Sequence, residues 1–277
     1  MNGDHVAFSF GYSPGSEPTN PGPVRQALDA LENDDLFAVY YDSGHVVGPN
    51  GIWHRNTSSA PFPNWRFHDF SGFDIATEKP GNTPAQIHSR VGSRNDKSLF
   101  GWVAQHYSSG WLACDDGPGE VADFVHISPD AVLSLIHVKG AHSTSRTRTV
   151  AVSAFEIVAS QAAKNSRRLD DLDILRETLM IAFTGRAAWT DGKRVPDRAE
   201  FLEVLGSLMP SDKKQVVIVQ PHVSEPMCKR IRASASSQGS TRSRELFRLS
   251  TLETLLHTTR AAAVAVGADL EVIGSRY

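Results

Sequence analysis

Cysteine is scarce in this chain: Cys114 and Cys228 are the only two in 277 residues, and neither sits in a Cys-x-x-Cys pair. Two isolated thiols cannot build a disulfide framework or a four-thiolate zinc centre, which excludes redox chemistry and structural zinc as organising principles. Apolar runs are short as well. No stretch approaches the roughly 18 apolar residues that a spanning helix needs, and the opening MNGDHVAFSFGYSPGSEPTN lacks the basic start, apolar centre and cleavage site of a secretory leader. The expected compartment is the cytoplasm, with no membrane partner. Gly-x4-Gly-Lys-Ser/Thr is missing too, so the chain carries no nucleotide-driven motor of its own. Neither His-Glu-x-x-His nor Gly-x-Gly-x-x-Gly occurs, which leaves zincin and dinucleotide-binding functions without support. No internal repeat is evident.

What is present is an ordinary globular composition, 40% hydrophobic, in a chain long enough for one sizeable core. The net charge of −3 hides an uneven distribution. Between Lys139 and Arg168 six basic residues (Lys139, Arg146, Arg148, Lys164, Arg167, Arg168) face one acid, Glu156. From Lys229 to Arg248 six more (Lys229, Arg230, Arg232, Arg242, Arg244, Arg248) face Glu245 alone, leaving 16 basic against 29 acidic residues elsewhere. A chain polarised in this way can present a local phosphate-binding surface despite its acidic balance.

Residues 1–34 read as a loose arm ending in a short helix, Val24 to Leu31. Residues 35–90 read as a β-hairpin (Leu36 to Tyr41, Ile52 to Arg55) followed by an aromatic, loop-rich extension over 60–80. The third region, 91–277, begins with a helix over Asp96 to Tyr107 that Asn95 or Asp96 is placed to cap. Three apolar runs follow, Trp111 to Cys114, Val121 to Ile127 and Val132 to Val138, separated by Asp-Asp-Gly-Pro-Gly and Ser-Pro-Asp; tight turns of this kind predict antiparallel strands. Helices over Ala151–Leu169, Leu172–Phe183 and Ala199–Leu208 come next. Then come a strand Gln215–Gln220 ended by Pro221, a polar loop Ala233–Arg242, a helix Leu246–Ala265 and a strand Leu270–Ile273. The order predicts an α/β fold with a mixed central sheet flanked by helices, plus an N-terminal β-rich extension.

The middle strands carry the chemistry-bearing residues. Hydrolysis of a phosphodiester with a divalent metal needs carboxylate oxygens for a hard cation and a basic side chain to position water or balance charge on the phosphate. Asp123 opens the second strand and Lys139 ends the third, with His137 two residues before it; a hairpin turning near Ser128 to Asp130 predicts that Asp123, His137 and Lys139 converge.

The phrases Cys114-Asp-Asp-Gly-Pro-Gly-Glu-Val-Ala-Asp123, Ile136-His-Val-Lys139 and Phe155-Glu156…Ser160-Gln-Ala-Ala-Lys164 resemble the PD-(D/E)xK, restriction-endonuclease-like nuclease superfamily. More narrowly, they are similar to a His-x-Lys variant at the C-terminal ends of prokaryotic helicase-like proteins linked to defence against foreign DNA. Weaker similarity extends to Phe70-Ser-Gly-Phe-Asp74 and Val217-Ile-Val-Gln-Pro221. The resemblance implies a restriction-endonuclease-like core over 91–277 and a nuclease using Mg²⁺ or Mn²⁺ on DNA. It implies catalytic roles for Asp123, Lys139, His137 and Gln161, and metal ligation by Asp123 and His137 completed by Glu120, Asp115, Asp116 or Glu156. The usual acid of the first helix is absent, and only Asp96 or Gln105 stands near its place. Arg146, Arg148, Lys164, Arg167, Lys229 and Arg230 are the expected nucleic-acid contacts. Any helicase or ATPase working with the chain is a separate protein, and a homodimer is compatible with the sequence. Two alternatives stay open: an inactive nuclease fold kept as a DNA-binding or partner-docking module, and RNA rather than DNA as the polymer.

Overall fold

The computed structural model describes residues 21–33, 38–40, 45–48, 51–54, 60–181, 185–237 and 244–277. Chain contacts divide it into two units, 1–60 and 61–277. The first holds helix α1 (Pro21–Asn33) and a small antiparallel sheet of β1 (Val39–Tyr40), β2 (His45–Gly48) and β3 (Gly51–His54). Leu36, Phe37 and Tyr41 of the expected strand, the arm 1–20 and Phe183 lie outside the described residues.

The second unit is built on eight strands: β4 (Trp65–His68), β5 (Trp111–Cys114), β6 (Phe124–Ile127), β7 (Leu133–Val138), β8 (Ala188–Thr190), β9 (Lys193–Val195), β10 (Lys214–Ser224) and β11 (Ala268–Ser275). Their order across the sheet is β4-β11-β10-β7-β6-β5-β8-β9. β7, β10, β11 and β4 run parallel, while β7, β6, β5, β8 and β9 alternate in direction, so the sheet is mixed. Both faces are covered, and the central strands are accordingly apolar on both sides. Val216 and Ile218 of β10 and Leu133 and Leu135 of β7 pack with helices α4 (Ser153–Asn165), α5 (Leu172–Ile181), α6 (Ala199–Ser207), α7 (Glu225–Ser237) and α8 (Arg244–Val264). Val217 and Val219, with Ile136 and Val138, pack in a second core with α2 (Pro84–Arg90) and α3 (Leu99–His106). Among the described residues no helix is long and apolar enough to cross a membrane.

Several expectations need correction. The aromatic segment 60–80 contains β4, which forms an edge of the main sheet, so residues 61–90 belong with the large unit. Ser98, not Asn95 or Asp96, caps α3 by accepting from Gly101 N–H at 3.3 Å. Asp96 lies beneath that cap, accepting from Ser98 N–H and Oγ at 2.9 and 2.6 Å. Pro221 does not end β10; it falls where the ladder to β11 is interrupted, between Val219 and Ser224, the setting in which a strand tolerates a residue without an N–H. Residues 233–237, expected as loop, complete α7.

Candidate metal centre

Asp123 lies one residue before β6 rather than within it, because Val121 N–H is drawn back to Asp115 Oδ2 at 3.0 Å and keeps the preceding segment in a loop. That loop, Asp115 to Glu120, turns through Gly117 and Gly119, whose φ angles of +145° and +77° favour glycine. Gly117 N–H donates to Glu120 Oε2 at 3.0 Å and Glu120 N–H to Gly117 O at 3.1 Å, closing the turn. Below it, Asp115 is clamped by Arg186 at 2.7 Å and by Arg198 at 3.2 Å. Both guanidinium groups also donate to main-chain oxygens, of Asp115 and Cys114 respectively. His88 Nε2 donates to Asp116 O at 2.9 Å; Ala187 N–H at 3.3 Å from Nδ1 fixes that tautomer, and burial holds the imidazole below its usual pKa.

With Asp115 engaged underneath, Asp116, Glu120 and Asp123 come together on the other side: each offers a carboxylate oxygen within 4.8 Å of the others. Asp116 and Asp123 are buried and Glu120 is half-buried. Three oxygen donors at this spacing can hold a metal ion. Asp123 also accepts from Val138 N–H at 2.7 Å, which ties it to the end of β7. Burial pushes its carboxyl up to about 8; Lys79 and the Val138 N–H oppose the rise, while Glu120 and Glu78 add to it.

Two lysines border the acids. Lys79 Nζ bonds Asp116 and lies 3.8 Å from Asp123 Oδ1 and 3.6 Å from Glu78. Burial works to lower its pKa, but the bond to Asp116 and the surrounding negative charges outweigh that and hold the ammonium above its ordinary range. Lys139 Nζ pairs with Glu78 Oε2 at 2.8 Å, so Glu78 bridges the two cations. The segment carrying Glu78 and Lys79 is fixed by main-chain bonds: Leu99 N–H and Phe100 N–H at the start of α3 donate to Thr77 O and Glu78 O at 2.9 and 3.1 Å. It also approaches Gly140 so closely that a Cβ there would lie 2.7 Å from Ala76 O. Lys79 further lines a cleft of about 490 Å³ with Thr77, Arg90, Asn95, Lys97 and Ser98 among its walls.

The expected residues divide. Asp123, Glu120 and Asp116 form this centre, and Lys139 is linked to it through Glu78 and Lys79. His137 does not join them. It shares its side of β7 with Leu133 and Leu135, is 2% exposed, and its Nε2 has no hydrogen-bond partner among the described residues; burial and then Lys164 push its pKa down to about 4, so the ring is neutral. β7 ends at Val138; Lys139 N–H still donates to Val219 O of β10 at 2.9 Å, while its side chain pairs with Glu78. Glu156 is exposed and Gln161 half-buried on α4, and neither belongs to a carboxylate or histidine group of three among the described residues. Asp96 is engaged at the α3 cap and Gln105 is exposed.

Of the expected nucleic-acid contacts, Arg146, Lys164, Arg167, Lys229 and Arg230 are exposed, whereas Arg148 is buried against main-chain oxygens. Lys229 pairs with Glu225 at 2.6 Å and Arg230 with Glu245 at 3.1 Å. Sequence reasoning did not find Glu78 and Lys79. A Glu-Lys-Pro tripeptide in a loop is a common surface sequence, and its only distinctive feature is the contact it makes 37 residues away at Asp116.

No family model, curated protein or solved structure matches the chain. The case for a function therefore rests on the residues and their geometry.

Proposed function

We propose that the protein is a metal-dependent nuclease that hydrolyses DNA phosphodiester bonds at the Asp116, Glu120 and Asp123 cluster, with Mg²⁺ or Mn²⁺ as its metal. The observation that carries this is the convergence of three carboxylates within 4.8 Å beside Lys79, with Lys139 joined to Lys79 through Glu78. The donor set suits a hard divalent cation, since it is all oxygen. Charge suits it as well: with every group ionised, Asp116, Glu120, Asp123 and Glu78 against Lys79 and Lys139 leave two negative charges. A bound Mg²⁺ or Mn²⁺ supplies Lewis-acid stabilisation of charge on the phosphate. Asp123, anchored by Val138 N–H, keeps its ligand oxygen at a fixed position. Lys139, held by Glu78, orients the attacking water and balances the negative charge that develops on the phosphate. The cleft beside Lys79 meets the centre at that residue, and its wall holds Arg90 and Lys97 together with Asp74 and Asp96.

The helix, three antiparallel strands, helix and parallel strand formed by α3, β5, β6, β7, α4 and β10 are the elements on which the sequence resemblance falls, and they support a restriction-endonuclease-like core. By the same resemblance the biological setting is prokaryotic defence against foreign DNA, in the cytoplasm, with any helicase or ATPase supplied in trans.

A second function, an inactive nuclease fold that binds DNA or docks a partner, is favoured by Lys79, whose ammonium already neutralises Asp116. One experiment separates the two. Linear, circular and single-stranded DNA are incubated with Mg²⁺ or Mn²⁺ and wild-type, Asp123→Ala or Lys139→Ala protein, each shown to be folded. Metal-dependent cleavage lost in both variants is the expected result; DNA binding without cleavage by the wild type would establish the module instead.

A further inference from the structure

A second site lies beyond the carboxylates, at the same end of the sheet. β7, β10 and β11 run parallel and end at Val138, Ser224 and Ser275, so the residues that follow them, with Asp123 at the start of antiparallel β6, share one edge of the layer. Past the ends of β10 and β11 is a cavity of about 430 Å³ lined by Arg146, Arg148, Ser224, Met227, Arg230 and Tyr277, with Pro226 completing its wall. Among the described residues no aspartate or glutamate side chain lines it.

Arg148 is the telling residue. It is 8% exposed, and its Nε, Nη1 and Nη2 donate to His222 O, Ser145 O and Pro221 O at 2.6, 2.9 and 3.1 Å. These bonds use three of its five N–H groups. Among the described residues it meets no carboxylate within ion-pair distance, so a buried positive charge is held in place by neutral carbonyls alone and faces a cavity. An isolated buried charge is costly, and an anion in the cavity would compensate it. The surroundings favour such an anion. Arg146 is exposed at the rim, and Arg230 reaches it from α7 while pairing with Glu245 at 3.1 Å. Helix α7 begins at Glu225, directly after Ser224, whose Oγ accepts from Met227 N–H at 3.4 Å. The positive end of the helix dipole therefore adjoins the arginines. The nearest acid of that turn, Glu225, is paired with Lys229 at 2.6 Å.

We propose that this cavity is a phosphate-binding site, in which Arg146, Arg148 and Arg230 hold a phosphoryl group at the N-terminus of α7. Planar guanidinium groups suit the tetrahedral oxyanion through paired N–H donors. The site rests on the arginines and the cavity, not on the metal centre, so it stands or falls separately from the nuclease assignment. The phosphoryl group comes either from the backbone of a strand lying along the sheet edge or from a terminal phosphate monoester.

The test is calorimetric titration of the whole protein, in EDTA, with inorganic phosphate at ionic strength matched by chloride. It is repeated with an Arg146→Gln/Arg230→Gln double variant, whose changes are exposed and leave the Arg148 bonds intact, and with Lys193→Gln on the opposite sheet edge. Wild type and Lys193→Gln bind phosphate, and the double variant binds it roughly tenfold or more weakly. No phosphate binding by the wild type at millimolar concentration, or equal binding by the double variant, overturns the proposal. Short oligonucleotides with a 5′-phosphate or a 5′-hydroxyl then identify the source. Loss confined to the phosphorylated strand assigns a terminal monoester, and loss for both assigns the backbone. Asp123→Asn retains phosphate binding whatever its effect on cleavage.

Discussion

One end of the sheet carries two poles of opposite charge, and they solve burial differently. At the acidic pole, crowded carboxylates are compensated from within the chain: Arg186 and Arg198 take Asp115, Lys79 takes Asp116, and Lys139 takes Glu78. At the basic pole, Arg148 is buried among carbonyls with no acid of the described chain to balance it. With Asp123 ionised the acidic pole sets five carboxylates, Asp115, Asp116, Glu120, Asp123 and Glu78, against four cations and keeps one negative charge, whereas the basic pole keeps a surplus of positive charge. The proposed ligands follow this division, a cation for the first and a phosphate for the second, the pair of charges that a metal-assisted phosphodiesterase would bring together.

The comparison breaks most severely at Arg198, which is fully buried and supports the metal loop through Asp115 and Cys114. Arg198→Ala leaves a buried carboxylate short of a partner, and denaturant unfolding will show a loss of about 3–5 kcal/mol. The exposed cation Lys193 at the far edge, replaced by glutamine, will change stability by less than about 0.5 kcal/mol.

Lys79 sharpens the acidic pole. If its ammonium stands in for part of the cation's charge, Lys79→Met will tighten Mn²⁺ binding by roughly tenfold in calorimetry, because a nearby positive charge no longer opposes the metal. Unchanged affinity would mean that Lys79 only packs over Phe100, whose ring centroid lies 5.4 Å from its Nζ.

Asp123 gives the pole a pH signature. Its folded-state pKa of about 8 lies above the ordinary value of 3.8, so the native protein keeps a proton that the unfolded chain releases. This contribution to stability is complete below about pH 4 and is lost as pH rises towards 8. His106 and His137, pushed down to about 4 by burial, act in the opposite direction, adding stability as pH rises from about 4 to 6.5. The difference between metal-free wild type and Asp123→Asn isolates the aspartate: it will slope across pH 4–8 in thermal unfolding, and saturating Mn²⁺ will flatten it.

The smallest effect belongs to the basic pole. Arg146→Gln will lower the slope of log affinity against log salt for single-stranded DNA by roughly 0.7, one phosphate contact, measured by fluorescence anisotropy. An unchanged slope would remove Arg146 from the strand's path.

Much of this arrangement was legible in the chain. Trp111–Cys114 was read as a strand with its observed limits, and the turn signals after Cys114 and Ile127 placed β5, β6 and β7 correctly as an antiparallel set. Asp123 and Lys139 were singled out because their spacing matched a motif, and Glu120 and Asp116 as acids of the preceding turn, beside Asp115 and the helix acid Glu156, that could complete a metal site. What escaped was short or distant. β8 and β9 are three residues each, too short for alternation to register, and β4 hides among aromatic turn residues. Glu78 and Lys79 reach the site only through the packing of their loop on α3. His137 was misplaced for a physical reason: alternation puts it on the side of β7 with Leu133 and Leu135, whereas Asp123 and Lys139 lie just outside their strands, where Asp123 accepts from Val138 N–H and Lys139 pairs with Glu78.

The central claim is that Asp116, Glu120 and Asp123, without His137, form one divalent-metal site. Calorimetric titration of the EDTA-treated protein with Mn²⁺ tests it most directly, comparing wild type with Asp123→Asn and His137→Gln. One Mn²⁺ per chain is predicted for wild type and His137→Gln, with affinities within about twofold of each other, and at least a tenfold loss for Asp123→Asn. Equal binding by wild type and Asp123→Asn, or loss of binding on changing His137, would contradict it.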